Sequence, residues 1–135
     1  MTRRLLIAAL PALAVAFGAL TFGALPARAA DAPTAIVFFA KWSGALDDTA
    51  MAVIKDAAGK INASHAKRIT IASYADSTGS SQANEYLTEL RAQRVIDTLV
   101  ADGVDEARLH MQANGEQNKV GVVSRRVEIR IPSRN

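Results

Sequence analysis

Arg68-Ile69-Thr70-Ile71-Ala72-Ser73-Tyr74-Ala75-Asp76-Ser77-Thr78-Gly79-Ser80-Ser81 is the stretch whose reading decides the fold. It begins with polar/apolar alternation over Arg68 to Tyr74 and is rich in β-branched side chains, which predicts a strand. Asp76 to Ser81 is a turn crowded with helix-capping residues. A long helix is then expected from about Ser81 to Ala101, stopped by Asp102-Gly103. Its apolar residues do not make one clean stripe. Leu87 and Leu90 lie on one side and Ile96 and Val100 lie nearly opposite, as in a helix that touches both a sheet and another helix.

Upstream, Ala35-Ile36-Val37-Phe38-Phe39 is a short apolar run that reads as a buried strand. Asp47 then reads as a helix N-cap, whose side chain accepts from the free amides of the first turn. Leu46 and Met51 occupy the two positions of a hydrophobic staple. Met51, Ile54, Ala58 and Ile61 follow at helical spacing, predicting about four turns that end near Asn62 to Ser64. Downstream, Arg108 to Ala113 and Arg126 to Ile131 both alternate and predict two more strands. The order is β-α-β-α-β-β. Each βαβ unit favours parallel pairing with a right-handed crossover. The expected fold class is α/β, an α+β sandwich in which a small mixed sheet carries both helices on one face. The domain is expected to span residues 35–135, preceded by a short segment over 30–34.

The first residues read as an address. Met1 to Arg4 is a basic start, Leu5 to Leu25 is an apolar run, and Ala27-x-Ala29 fits a signal peptidase site, so residues 1–29 are expected to be a signal peptide cleaved before Ala30. The run is also long enough to span a bilayer as an uncleaved anchor. The small residues and the Ala-x-Ala site favour cleavage. Thr2-Arg3-Arg4-Leu5-Leu6 faintly resembles a twin-arginine signal.

The chain has 135 residues, 16 of them basic and 13 acidic, which allows one domain and hardly two. Three of the basic residues are Arg3, Arg4 and Arg28, so the mature domain is neutral, with thirteen charges of each sign. A neutral domain with few aromatics is a poor candidate for nucleic-acid binding. The chain has no cysteine. That excludes disulfides, a thiol nucleophile, a cysteine-ligated metal and a lipid-modified N-terminal cysteine. His65 and His110 lack metal-ligand spacing, and no cofactor is implied.

Chemistry concentrates around Asp76. At 100° per residue, Asn84, Thr88 and Arg91 fall within about 60° of one another. They form a polar stripe on the side of the helix that can face the Asp76 turn. A carboxylate, an amide, a hydroxyl and a guanidinium then line one surface. This set suits a zwitterion: the carboxylate takes an ammonium, the guanidinium fork takes a carboxylate, and Asn84 can donate to one and accept from the other. The simpler alternative is that Asp76 caps the helix and Arg91 pairs with it or with a neighbour.

Residues 69–131 resemble the OmpA-like domain, the peptidoglycan-binding module of bacterial outer-membrane proteins and lipoproteins. That family carries a motif near G-H-T-D-x-x-G, which here reads Ser73-Tyr74-Ala75-Asp76-Ser77-Thr78-Gly79. It continues with N-x-x-L-S-x-x-R-A-x-x-V and ends at L-x-x-x-G. Asn84, Leu87, Thr88, Arg91, Ala92, Val95, Leu99 and Gly103 match at the same spacing. A short R-L strand and G-x-G-E correspond to Arg108-Leu109 and Asn114-Gly115-Glu116. The usual last strand, N-R-R-V-E-I, corresponds to Ser124-Arg125-Arg126-Val127-Glu128-Ile129. The sequence departs at Tyr74, at Ala75, at Ala40-Lys41-Trp42 after the first strand, and in the shortened stretch Gln117 to Val123, where Gly121 replaces an arginine.

The resemblance implies non-covalent, non-catalytic binding of peptidoglycan in the periplasm through the diaminopimelate of the stem peptide. Asp76 would take its ammonium and Arg91 its carboxylate, with Asn84, Thr78, Thr88 and Arg126 as further ligand-site residues. An outer-membrane protein is the partner through which such a chain would join the wall to that membrane. The alternative is a degenerate OmpA-like module that keeps the fold, has lost the ligand and binds protein. An enzyme such as a wall amidase is disfavoured, because no zinc-ligand pattern and no Ser-His-Asp arrangement can be placed. Trp42, beside the end of the first strand, either stacks on a sugar ring or fills a gap in the rim.

Overall fold

A computed structural model describes residues 33–117 and 121–133. The expected signal peptide and the start of the 30–34 segment lie outside the described residues. The elements follow the expected order: β1 Ala35–Phe38, α1 Asp48–Ser64, β2 Ile69–Ala75, α2 Ser81–Ala101, β3 Leu109–Glu116 and β4 Arg126–Arg130. Single 3-10 turns at Glu106–Arg108 and Val122–Ser124 precede the last two strands.

Local chemistry sets the helix ends. Asp47 caps α1, its Oδ1 accepting from the Ala50 amide at 2.7 Å. Ser80 caps α2 in the same way, accepting from the Ala83 amide at 3.1 Å. At the far end of α2, Gly103 takes φ +97, a conformation that a Cβ penalises. The Gly103 amide donates to Val100 O and the Val104 amide to Leu99 O. These are the paired bonds of a Schellman stop. The end of α1 is held from a distance, because Arg108 donates to Ile61 O and Ala66 O, each at 2.8 Å.

The sheet order is β1-β4-β2-β3. Strands β2 and β3 pair in parallel, while β4 runs antiparallel to both its neighbours. The last strand in sequence therefore inserts between the first two, and β1 and β2 share a direction without touching. Of the two βαβ units expected to pair in parallel, β2-α2-β3 does so, whereas β1 and β2 are separated by β4. Val37, Ile69, Ile71, Val127 and Ile129 point to one face and join Ile54, Ala58, Ile61, Val95 and Leu99 of the helices in a single core. Both helices pack on that face, and against each other. Met51, expected on the core stripe of α1, is exposed, and Ala50 and Ala57 are buried in its stead. Among the described residues, no helix is long and apolar enough to cross a membrane.

The other sheet face carries Arg126, Glu128 and Arg130 of β4. Glu128 accepts from Arg126 Nε at 2.8 Å and from Arg130, and the two arginines cover it so well that it is only 5% exposed. Burial alone would raise the Glu128 carboxyl, but these hydrogen bonds outweigh it and hold it below the ordinary value.

Candidate functional site

The carboxyl ends of β1, β2 and β3 and the start of β4 meet at one end of the sheet, as the pairings of Phe38 and Tyr74 with Arg126 and of Ala75 with Glu116 require. Ligand sites of α/β folds gather at this end of like-directed strands. Three connections converge there: the β1–α1 loop, the β2–α2 turn and the lead into β4.

Asp76 stands immediately after β2 and is 4% exposed. Its Oδ1 accepts from Thr78 Oγ1 at 2.5 Å and its Oδ2 from Arg125 Nη1 at 2.9 Å. Burial alone would push this carboxyl up. The hydrogen bonds from Thr78 and Arg125 outweigh that, and the net shift is downward. Asp76 is therefore a fixed anion at neutral pH. The helix cap, one of its two simpler sequence roles, belongs to Ser80.

Arg91 is 0% exposed. Its Nε donates to Ser43 O at 2.8 Å, its Nη2 donates to Ala40 O at 3.1 Å, and its guanidinium lies 5.1 Å from the centroid of the Phe39 ring. The β1–α1 loop thus wraps around this one side chain. Its Nη1 has no hydrogen-bond partner among the described residues. Burial pushes the Arg91 guanidinium down to about 10, the charge of Arg125 pushes the same way, and Asp76 pulls it back. The three charges sense one another, and their sum is +1.

The stripe expected on α2 exists, but it faces inward. Asn84, Thr88 and Arg91 are all buried. Asn84 Nδ2 donates to Glu116 Oε2 at 3.0 Å, and Thr88 Oγ1 donates to Glu85 O within its own helix at 2.7 Å. The basic residue that reaches Asp76 is Arg125, immediately before β4, not Arg126. Arg126 turns to the opposite sheet face, where it binds Glu128 and lies 4.2 Å from the centroid of the Tyr74 ring. Arg125 also donates to Phe39 O at 3.2 Å, tying the start of β4 to the end of β1.

Glu116 was not singled out from the sequence, and of the adjacent basic pair Arg125–Arg126 the site reading named Arg126. The signal for Arg125 was present: in a strand of period two it shares parity with the inward Val127 and Ile129. Glu116 lies at the end of β3. One extra residue bulges β3 between the Ser73–Ala113 and Ala75–Glu116 pairs, and this brings Glu116 back to Asn84. Trp42 completes the rim. It is 53% exposed, its backbone sits at φ +56, and its ring tip meets Gly79 in the Asp76 turn. Among the described residues, no group of three or more His, Asp or Glu could hold a metal ion.

A two-layer α/β domain with a polar, charge-bearing site at one end of a four-stranded mixed sheet is the class that fold and site define. The chain belongs to the OmpA family, whose model matches residues 38–126. Solved structures with the same fold include the OmpA-like domain of FopA1 from Francisella tularensis, with 23% identity over 71% of this chain and 69% of that one, TM-score 0.66. The peptidoglycan-associated lipoprotein of Burkholderia pseudomallei aligns with 23% identity over 71% and 88% of the two chains, TM-score 0.64. The periplasmic domain of Helicobacter pylori MotB aligns with 24% identity over 72% and 68%, TM-score 0.61. No curated protein sequence matches the chain.

Proposed function

We propose that the domain binds peptidoglycan non-covalently, holding the diaminopimelate of the stem peptide between Asp76 and Arg91. The observation that carries this reading is a buried guanidinium with an unpartnered Nη1, in electrostatic contact with a buried carboxylate. A buried donor without a partner is costly, and a ligand carboxylate would satisfy it. Asp76 accepts from Thr78 and Arg125, and a carboxylate with about four lone-pair sites retains capacity for an ammonium. Because Arg91 already gives Nε and Nη2 to the loop, it would grip the carboxylate through Nη1 rather than through its full fork. Thr78 and Arg125 fix the Asp76 carboxylate, Asn84 and Glu116 line the neighbouring rim, and Thr88 supports the helix wall. Residues 1–29 would export the chain to the periplasm, where an outer-membrane partner would link it to that membrane. No step of bond cleavage is assigned.

A second reading draws on one specific observation: Arg125 and the β1–α1 loop already satisfy most of the polar groups of the site. A pocket so occupied could serve as a rigid corner of a protein-binding module. Co-sedimentation of the domain with insoluble peptidoglycan separates the two. The wall reading expects wild type in the pellet and Asp76→Asn, with an unchanged circular dichroism spectrum, in the supernatant. A folded wild type that stays in solution rejects it.

A further inference from the structure

Trp42 is the only tryptophan in the chain, and its geometry is unlike that of a gap filler. A Cβ built on Gly79 would lie 2.1 Å from its Cη2 and 3.0 Å from both Cζ2 and Cζ3. A point above the ring face at that height would lie much nearer both flanking carbons, so the contact is edge-on. The tip of the indole abuts the Gly79 backbone, and that contact covers neither ring face. With 53% of the residue exposed, a flat aromatic surface stands open at the rim.

The fold holds it there. Trp42 has a left-handed backbone at φ +56, rare and strained for a bulky residue. The carbonyls on either side of it, Ala40 O and Ser43 O, are the two held by Arg91. The Ser43 amide closes the turn by donating to Ala40 O at 3.2 Å. The strain is therefore imposed by the same guanidinium that serves the ligand site, and the ring tip rests three residues from Asp76. Three extended residues reach at most about 10 Å.

We propose that Trp42 is a stacking platform for a pyranose ring of the glycan strand, a second subsite beside the stem-peptide site. This rests on the wall-binding reading above. The indole face carries negative π-density, which attracts the polarised C–H bonds on the flat face of a pyranose. The ring edge is fixed against Gly79, so stacking requires little reordering. A separation of about 10 Å or less matches a ligand whose amino-acid part sits at Asp76 and whose sugar lies a few residues of stem peptide away.

Two ligands test it by titration calorimetry: a diaminopimelate-containing stem peptide without sugar, and the same peptide carried on its disaccharide. Wild type is expected to bind the disaccharide form about fivefold to tenfold more tightly, the range of a good aromatic contact. Trp42→Ala should bind both ligands with the affinity of wild type for the bare peptide, and Trp42→Phe should recover part of the difference. Equal affinity of wild type for the two ligands overturns the subsite and leaves the wall reading standing. Equal loss of both ligands in Trp42→Ala also overturns it, since that marks a support for the Asp76 turn. Binding of neither ligand by wild type overturns both readings.

Discussion

Replacing Gly79 by alanine tests the seat of Trp42 directly. The new Cβ would stand 2.1 Å from Cη2 of the ring, a distance no real contact sustains, so the exposed indole must swing away. Two costs follow. The first belongs to the backbone: Gly79 is at φ +86, where an L side chain costs roughly 1–2 kcal/mol, offset in part by about 0.4–1 kcal/mol from a stiffer unfolded chain. The second belongs to the ring. A tryptophan buries about 150–250 Å² when enclosed. At 53% exposure, roughly half of that is covered here, on the order of 2–3 kcal/mol at 25 cal/mol/Å². Losing the Gly79 part of that contact costs on the order of 1 kcal/mol. Gly79→Ala should therefore destabilise the wild type by about 2 kcal/mol but a Trp42→Ala background by only about 1 kcal/mol, a coupling of about 1 kcal/mol in a double-mutant cycle. Urea unfolding followed by circular dichroism measures all four corners. Emission of the single tryptophan should shift to the red in Gly79→Ala as the ring enters water. Equal costs in the two backgrounds, or unchanged emission, would refute the edge-on contact.

Three further outcomes are expected. Asp76 and Glu128 have folded-state pKa values below their ordinary 3.8 and 4.5, so their stabilisation is complete above those values and is lost as pH falls through the lower folded ones. The unfolding free energy contributed by these two carboxylates should be flat between about pH 5 and neutrality and decline below about pH 4, less steeply in Asp76→Asn; a parallel decline in that variant would contradict the assignment. Arg91→Lys places a point charge where a fork serves two carbonyls. It should cost about 1–3 kcal/mol and speed amide exchange around residues 40–43, whereas unchanged protection there would mean that the loop does not depend on the guanidinium. Ile54→Ala, in the centre of α1, should cost about 2–5 kcal/mol by thermal or chemical denaturation; a cost below about 1 kcal/mol would contradict its place in the core.

Features set by neighbouring residues were legible in the sequence. The limits of α2 are those expected, because Ser80, Asp102 and Gly103 act within one turn of the helix ends. The Asn84–Thr88–Arg91 stripe was also legible, since helical geometry alone places those residues together. What lies on top of the stripe was not. Its burial depends on the β1–α1 loop folding over Arg91, forty-eight residues away in the Ser43 contact, and no local pattern encodes that closure. The position of β4 between β1 and β2 was hidden for the same reason, because strand order is decided by pairing between distant segments. Arg125 lay within reach of the alternation rule, but the basic pair drew the reading one residue too far. The bulge that returns Glu116 to Asn84 depends on pairing with β2, which the sequence of β3 alone does not specify.

The Arg126–Glu128–Arg130 row has a consequence for how copies of this domain can assemble. A sheet with helices on one side leaves the other available for stacking against a second sheet. Here the central strand presents three charges on that side, with Glu128 held by the two arginines. Pressing a second sheet onto it would strip water from both guanidinium groups, an effective cost of several kcal/mol per ion unless new partners are supplied. The row therefore keeps the domain two layers thick, and it directs association towards the site end or the edges of the sheet. A partner that does use this face must bring carboxylates to meet it.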